Sequence, residues 1–307
     1  MDRLKDSLVY IILLNWNNAN DTIACLESLG KLQYSHFKII VIDNASRDES
    51  LNSLQSWIND KPIKNLTKII RLDENLGFTG GNNAGMNLAL EKGADFILLL
   101  NNDTIVTENF LDLLMETAQR NPNAGVIGCK IYHVSPSTKI WYSGGKINYL
   151  KGYGSHLTDD FEGIRPTEFV TGCMMLMPHQ VLEKVGLFDE KFFLICEDSD
   201  LCLRIQKNGY NLLVDGRATI YHKIHASLGG KFSPANQYYF HRNRLMFIGK
   251  NLNWPQRIIF YLVQFGILIP IWTMLELFKR HGEAVAWAYR GYFDFLRGIS
   301  GKCRYLK

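Results

Sequence analysis

The 307-residue chain reads as an α/β fold: a mostly parallel central sheet with helices on both faces, followed by a hydrophobic helical tail. Three observations predict it. Short apolar runs alternate with segments of helical periodicity from the start of the chain. The runs are apolar nearly throughout, as strands covered on both faces are. Clusters of Asn and Asp sit where those runs end, and such sheets bind ligands outside the carboxyl ends of their strands.

Taken in order, strands are expected at 9–14, 38–42, 67–72 and 95–100. Between them, residues 21–29 place Ile23, Leu26 and Leu29 at helical spacing, and 48–58 do the same with Leu51, Leu54 and Trp57. A third helix is expected over 82–92, closed by Gly93 in a C-cap position. This alternation gives a parallel sheet with helices on its faces. The strand ends carry Asn15-Trp16-Asn17, Asp43-Asn44-Ala45-Ser46 and Asn101-Asn102-Asp103. Beyond about residue 126 the pattern changes to shorter strands and Gly-rich turns: 126–132, 140–143, a Gly144-Gly145 turn, 169–177, 210–214 and 218–221. No Pro/Ser-rich linker interrupts this stretch. Residues 1–233 therefore read as one domain in two parts, 1–125 and 126–233, with 234–307 as a separate helical region.

Composition narrows the class. Apolar content of 47% and charged content of 21% describe a folded chain with a real core. A net charge of +4 is too small for nucleic-acid binding driven by bulk charge, and no nucleic-acid partner is expected. The six cysteines form no Cys-x-x-Cys pair and read as core residues of a reducing compartment. The apolar run at 8–14 follows Lys5 but ends in Asn15-Trp16-Asn17-Asn18 with no small-residue cleavage site, so it reads as a first strand in a cytoplasmic protein.

The tail is different in kind. Arg242, Arg244, Lys250 and Arg257 precede an apolar stretch at 258–275, interrupted by Gln264 and Pro270, and Lys279, Arg280 and His281 follow it. It falls short of the roughly 20 apolar residues of a full span. The expectation is an interfacial or hairpin helix with basic anchors at a membrane surface, the alternative a helix packed on the domain.

Chemistry concentrates in a few places. Glu197, Asp198 and Asp200 put three carboxylates within four residues, where an apolar run gives way to a helix. Such crowding raises the pKa of at least one of them unless cations compensate, which suits a general base. The alternative is structural: Asp198 as a helix N-cap and Asp200 paired with Arg204. Asp103, at a strand end, is placed to hold a divalent cation, Mg²⁺ or Mn²⁺, or else to start a turn. The segment from Asn75 to Gly85 is Gly-rich but lacks the Gly-x-Gly-x-x-Gly fingerprint after the first strand, which argues against a dinucleotide oxidoreductase. It can approach a ligand closely, or simply set a tight turn.

Together, Val41 to Ser46, Asn75-Leu76-Gly77-Phe78 with Gly80-Gly81-Asn82-Asn83, Leu100 to Asp103, Thr171-Gly172-Cys173-Met174 and Glu197 to Arg204 resemble family 2 glycosyltransferases, in the rhamnosyltransferase-like and galactofuranosyltransferase-like branch. The match runs over about residues 8–250 in the family's order. The resemblance implies a GT-A fold, with a Rossmann-like sheet, an inverting transfer and a divalent metal. The donor it implies is a nucleotide-diphosphate sugar and the acceptor a glycan or lipid-linked hydroxyl, in cell-surface polysaccharide synthesis on the inner face of the membrane. It makes 1–125 the nucleotide-binding part and 126–233 the acceptor part. By position it gives Asp43 to the base, and Asn15 and Asn17 to the nucleotide. Asn75, Gly80, Asn82 and Asn102 join them on the nucleotide sugar. Asp103 takes the metal position of an Asp-x-Asp motif whose first Asp is Asn101 here. Asp198 becomes the general base, flanked by Glu197 and Asp200. His222, with His225 as competitor, becomes a second metal ligand. Two rivals remain: a non-catalytic sugar-nucleotide-binding protein, and a nucleotidyltransferase, whose Gly-rich, Arg-containing loop after strand one is replaced here by Asn15 to Asn18.

Overall fold

The computed structural model describes residues 7–223 and 230–306. In chain order the elements are β1 (Val9–Asn15), α1 (Ala19–Leu29), β2 (Phe37–Asp43), α2 (Ser50–Asn59), β3 (Thr67–Arg71), α3 (Gly77–Glu91) and β4 (Phe96–Asn101). They continue with β5 (Thr104–Val106), α4 (Phe110–Arg120), β6 (Ala124–His133), β7 (Ile140–Tyr142), β8 (Gly145–Asn148), β9 (Tyr153–His156), β10 (Ile164–Pro166) and β11 (Met174–Pro178). The chain then forms α5 (His179–Val185), α6 (Glu197–Lys207), β12 (Asn211–His222), α7 (Pro234–Asn251), α8 (Trp254–Val263), α9 (Ile269–Phe278) and α10 (Gly282–Leu296).

One mixed sheet organises these elements, in the order β10-β12-β6-β11-β4-β1-β2-β3. The strands read from the apolar runs, β1 to β4, form its parallel half. Their register brings the carboxyl ends flush, with Asn15 opposite Asp43, Asp43 opposite Arg71 and Leu14 opposite Asn101. Three polar loops therefore open side by side on one edge. The other half is mixed: β11 runs antiparallel between β4 and β6, and β12 lies parallel to β6.

The expectation of a mostly parallel sheet thus holds for its first half. Segments 210–214 and 218–221 belong to one strand, β12, whose register shifts between Asp215 and Thr219. At that irregularity Asp215, fully buried, receives Thr117 (2.6 Å) and Arg217 (2.8 Å). The strand expected from 169 begins at Met174, because residues 170–173 form the turn that meets α6.

The β8–β9 hairpin, absent from the sequence reading, packs Gly145 against the ring of Phe169, itself 2% exposed. A Cβ at Gly145 would lie 2.0 Å from Phe169 Cε1. Gly145→Ala is expected to cost about 1–3 kcal/mol by overpacking, seen as a drop of several degrees in thermal midpoint. An unchanged midpoint would contradict this packing.

The tail packs into the same core. Phe260, Gln264, Ile269 and Glu276 are buried along one side of the continuous helix Trp254–Phe278. Gln264 does not interrupt it: its side-chain amide donates to the Leu150 carbonyl at 2.6 Å. A π turn over Gln264–Leu268 adds a residue before Pro270, and Pro270 then falls in the first turn of α9, where its missing N–H costs least. The opposite side is bare: Trp254, Ile259, Leu262, Met274 and Phe278 are 61–89% exposed. Among the described residues this is the one helix long and apolar enough to cross a membrane. All six cysteines are buried free thiols, and burial pushes Cys25 up to about 12, so they are inert core residues.

Candidate active site

The first strand ends form a closed polar net around Asp43, which is fully buried. Asn15 donates to Asp43 Oδ1 (2.9 Å) and Ser46 Oγ (3.2 Å), and accepts from the Thr22 hydroxyl at 2.9 Å. The Ser46 hydroxyl and backbone N–H both donate to Asp43, at 2.5 and 3.1 Å. Asn17 joins through its own N–H to Ser46 Oγ, and Asn102 donates to Thr22 Oγ1 at 2.8 Å. The resemblance gave Asp43 to a nucleobase. In the structure Asn15 and Ser46 donate to its two oxygens, so it also holds the β1 and β2 loops together.

Helix α3 opens beside this net. Asn75 Oδ1 accepts from the Asn44 amide (3.1 Å) and the Gly77 N–H (2.8 Å), which joins the α3 turn to the β2 loop. Gly77 has φ +73, and a Cβ there would sit 2.5 Å from the Phe193 carbonyl oxygen. Two assignments change here. Gly80 is buried within α3, where a Cβ would meet that of Leu76 at 2.7 Å, and Asn82 donates to the Phe78 carbonyl of its own helix at 2.8 Å. Both therefore serve helix packing; Gly81 and Gly85 likewise let α3 approach Leu14 and Ile12. Asn83, unassigned from sequence, reaches across the chain: its amide donates to Phe188 O and Glu190 at 3.0 Å each.

Asp103 and His222 meet because β5 and β12 pair, with His222 opposite Thr104 and the Lys223 N–H donating to the Asp103 carbonyl. His222 Nε2 lies 3.0 Å from Asp103 Oδ1, both residues are buried, and His222 Nδ1 has no partner among the described residues. Two ligands at right angles on one cation, each about 2.1 Å from it, would be about 3 Å apart, so the pair fits adjacent positions on a divalent ion. One carboxylate and one imidazole are also a donor set such ions accept. No group of three or more acidic, His or Cys ligands exists among the described residues, which leaves the other positions to ligand oxygens and water. His225 lies outside the described residues.

The acidic cluster opens α6, and its three carboxylates differ sharply. Asp200 is fully buried and takes Arg204 Nε (2.9 Å), Lys250 Nζ (2.8 Å) and Asn251 Nδ2 (3.0 Å). Expected to flank a reacting group, it instead ties α6 to α7. Glu197 is buried with one oxygen unpartnered among the described residues; burial, then the charges of Asp198 and Asp200, push it well above the usual carboxyl range. Asp198 alone is only half-buried. Its Oδ2 accepts from the Gly172 N–H (3.0 Å) and its Oδ1 from the Ser199 N–H (2.6 Å), bonds that fix its orientation.

Glu197 predicts a pH effect. A carboxyl raised on folding contributes stability below its unfolded pKa of about 4.3 and loses it as pH rises through the folded value. Glu197→Gln is expected to melt above wild type at neutral pH, with the gap closing near pH 4. An equal gap at both pH values would contradict the buried, neutral carboxyl.

Two further residues join the halves of the site. Trp141 sets its ring edge-on to His156 (4.5 Å between centroids) and to His222 (4.7 Å). Burial lowers the His156 pKa while the Asp198 charge raises it. Ring contacts thus connect His156 through Trp141 to His222, which meets Asp103. In sequence, Trp141 showed only as part of an apolar triplet, and His156 carried no signal.

The loop ahead of α6 is strained. Phe193, Ile195 and Cys196 have φ of 65, 69 and 74, and such non-glycine residues cost about 1–3 kcal/mol each.

The model of the glycosyl transferase family 2 matches residues 10–186, and the chain belongs to that family. Asp198 and His222 lie beyond the matched segment. The O-antigen biosynthesis protein RfbC of Myxococcus xanthus is 25% identical over 69% of this chain, which spans only 17% of RfbC. The dTDP-rhamnosyl transferase RfbF of Shigella flexneri is 25% identical over 98% of this chain and 99% of its own. These relatives agree with the rhamnosyltransferase-like branch. The fold is GT-A-like: GalNAc-T7, solved with UDP, GalNAc and Mn²⁺, superposes with a TM-score of 0.61 at 15% identity, over 77% of this chain and 47% of that one.

Proposed function

We propose that the protein is an inverting glycosyltransferase that moves a rhamnose- or galactofuranose-like sugar from a nucleotide diphosphate to an acceptor hydroxyl. The observation that carries this reading is the Asp103–His222 pair, a carboxylate and an imidazole 3.0 Å apart, together with a partly exposed Asp198 at the start of α6. In this mechanism Asp198 takes the proton of the acceptor hydroxyl, and that oxygen attacks the anomeric carbon from the face opposite the diphosphate. The proton goes to Asp198 and the bonding pair to the leaving diphosphate, so one displacement inverts the centre. Asp103 and His222 would hold Mg²⁺ or Mn²⁺, which when bound neutralises charge on the diphosphate. The net of Asn15, Asn17, Asp43 and Asn102 fixes the loops against which the nucleotide lies. His156 and Trp141 form the acceptor-side wall.

The division into a catalytic domain over 1–233 and a helical region over 234–307 belongs to this reading. So does a location at the cytoplasmic membrane surface. The bare apolar side of Trp254–Phe278, flanked by Arg257, Lys279 and Arg280, suits an interface with anionic lipid, and a lipid-linked acceptor would be presented there. RfbC and RfbF, by their names, act in O-antigen biosynthesis and rhamnosyl transfer, which supports the same setting.

The test is a panel of UDP-, dTDP- and GDP-sugars with Mn²⁺, read as binding and release of nucleoside diphosphate. The reading predicts metal-dependent binding and cleavage of one donor, dTDP-rhamnose first among them. Binding of no donor would overturn it. Binding that never leads to release, even with a lipid-linked acceptor, would favour the non-catalytic reading.

A further inference from the structure

The strained segment that delivers Asp198 is gripped by a helix outside the part of the chain matched by the family model. Phe193, Ile195 and Cys196 all adopt left-handed φ, and Cys196 directly precedes Glu197 and Asp198. Such a run persists only where its surroundings over-determine it. Here the surroundings are specific. The single side-chain amide of Asn243 in α7 donates to the carbonyls of Phe192 (2.7 Å), Leu194 (2.7 Å) and Ile195 (3.0 Å).

The orientation of that amide is itself enforced. Arg242 Nε donates to Asn243 Oδ1 at 2.9 Å, which turns the Asn243 NH₂ toward the loop. Arg242 also reaches Phe192 O (3.3 Å) and the Tyr238 hydroxyl (3.1 Å), and Tyr238 donates in turn to Asp294 of α10 at 2.6 Å. Arg242 and Asn243 are both completely buried. From the other side, the Thr79 N–H and hydroxyl each donate to Phe193 O at 3.1 Å, and the Phe193 ring stacks on Tyr239.

We propose that Asn243, set by Arg242, is a positioning residue for Asp198: it locks residues 192–196 in the left-handed path that points the carboxylate at the acceptor. The proposal rests on Asp198 being the base. The C-terminal helices are then part of the catalytic apparatus as well as the region that meets the membrane. An alanine at 243 removes its amide from three carbonyls at once, leaving Phe192 O only the longer Arg242 bond, and a base displaced by about 1 Å loses up to roughly a hundredfold in rate.

The test compares wild type, Asn243→Ala and the double variant Asn243→Ala/Cys196→Gly in the full chain, with Cys196→Gly alone as control. The readouts are kcat, donor KM and amide hydrogen exchange. Expected for Asn243→Ala is a kcat about ten- to a hundredfold lower, with donor KM within about twofold, because the Asn243 side-chain bonds among the described residues run to Arg242 and residues 192–195. Exchange should quicken over 193–200 and stay unchanged over 9–15 and 37–43. Glycine at 196 takes the left-handed conformation without steric cost, so the double variant should recover about five- to tenfold of the lost kcat.

A wild-type kcat in Asn243→Ala, or a loss with no recovery in the double variant and KM rising in parallel, would overturn the proposal. If Asn243→Ala does not fold, Asn243→Ser, which keeps one donor, should show the same pattern with a smaller loss. Should wild type itself transfer from no donor, the transferase reading fails while the exchange comparison still judges the clamp. Selective loosening of 193–200 then supports it, and unchanged protection there refutes it.

Discussion

Asp198→Asn is expected to lower sugar transfer about 10²- to 10⁴-fold while leaving donor affinity near the wild-type value. The amide keeps the size of the side chain but cannot accept the proton. One of its atoms also becomes a donor facing either Gly172 N–H or Ser199 N–H, so some disorder of the side chain adds to the loss. Glu197 cannot substitute, because it is buried, with burial pushing its carboxyl well above the usual range. Asp200 cannot either, since Arg204, Lys250 and Asn251 occupy its oxygens. Steady-state transfer alongside calorimetric donor binding checks this. A variant with intact turnover would remove Asp198 from the chemistry.

Asp103→Ala should abolish the metal-dependent part of donor binding, a loss of at least about a hundredfold in affinity if removal of a direct ligand exceeds the effect of removing its supporters. A stability cost accompanies it. His222 Nδ1 already has no described partner, and losing Asp103 would strip Nε2 as well, leaving a buried imidazole unsatisfied at about 1–3 kcal/mol. His222→Ala should weaken metal-dependent binding less, because the carboxylate charge remains. Donor titrations with and without Mn²⁺ separate these cases. Equal metal dependence in wild type and Asp103→Ala would place the ion elsewhere.

Much of the parallel half was legible because its signal is local. Strands β1 to β4 are apolar runs whose ends carry the polar loops, and no observed bound differs from the expected one by more than one residue. Helix α3 starts five residues earlier than expected, at Gly77, because glycines that look like a loop are used for contact with Leu14 and Ile12. The mixed half was less legible, since its short strands are defined by partners distant in sequence. The pairing of Thr104 with His222 is of this kind, and it alone brings Asp103 to the imidazole.

The acidic cluster shows the same limit more finely. Residue types placed a perturbed carboxyl there, but which of Glu197, Asp198 and Asp200 is buried, bridged or open depends on Lys250 and Asn251, about fifty residues away. The resemblance gave Asp43 and Asn82 to the nucleotide sugar by position, and in the structure each also bonds inward, Asp43 with Asn15 and Ser46 and Asn82 with Phe78. Trp141, His156 and Asn243 lay in segments whose chemistry is silent without the fold.

The most direct measurement is the anomeric configuration of the product, read by NMR after transfer from a donor of known anomer. A single displacement driven by Asp198 predicts complete inversion, with the residual product of Asp198→Asn inverted as well. Retention of configuration would require a second displacement and would contradict the account.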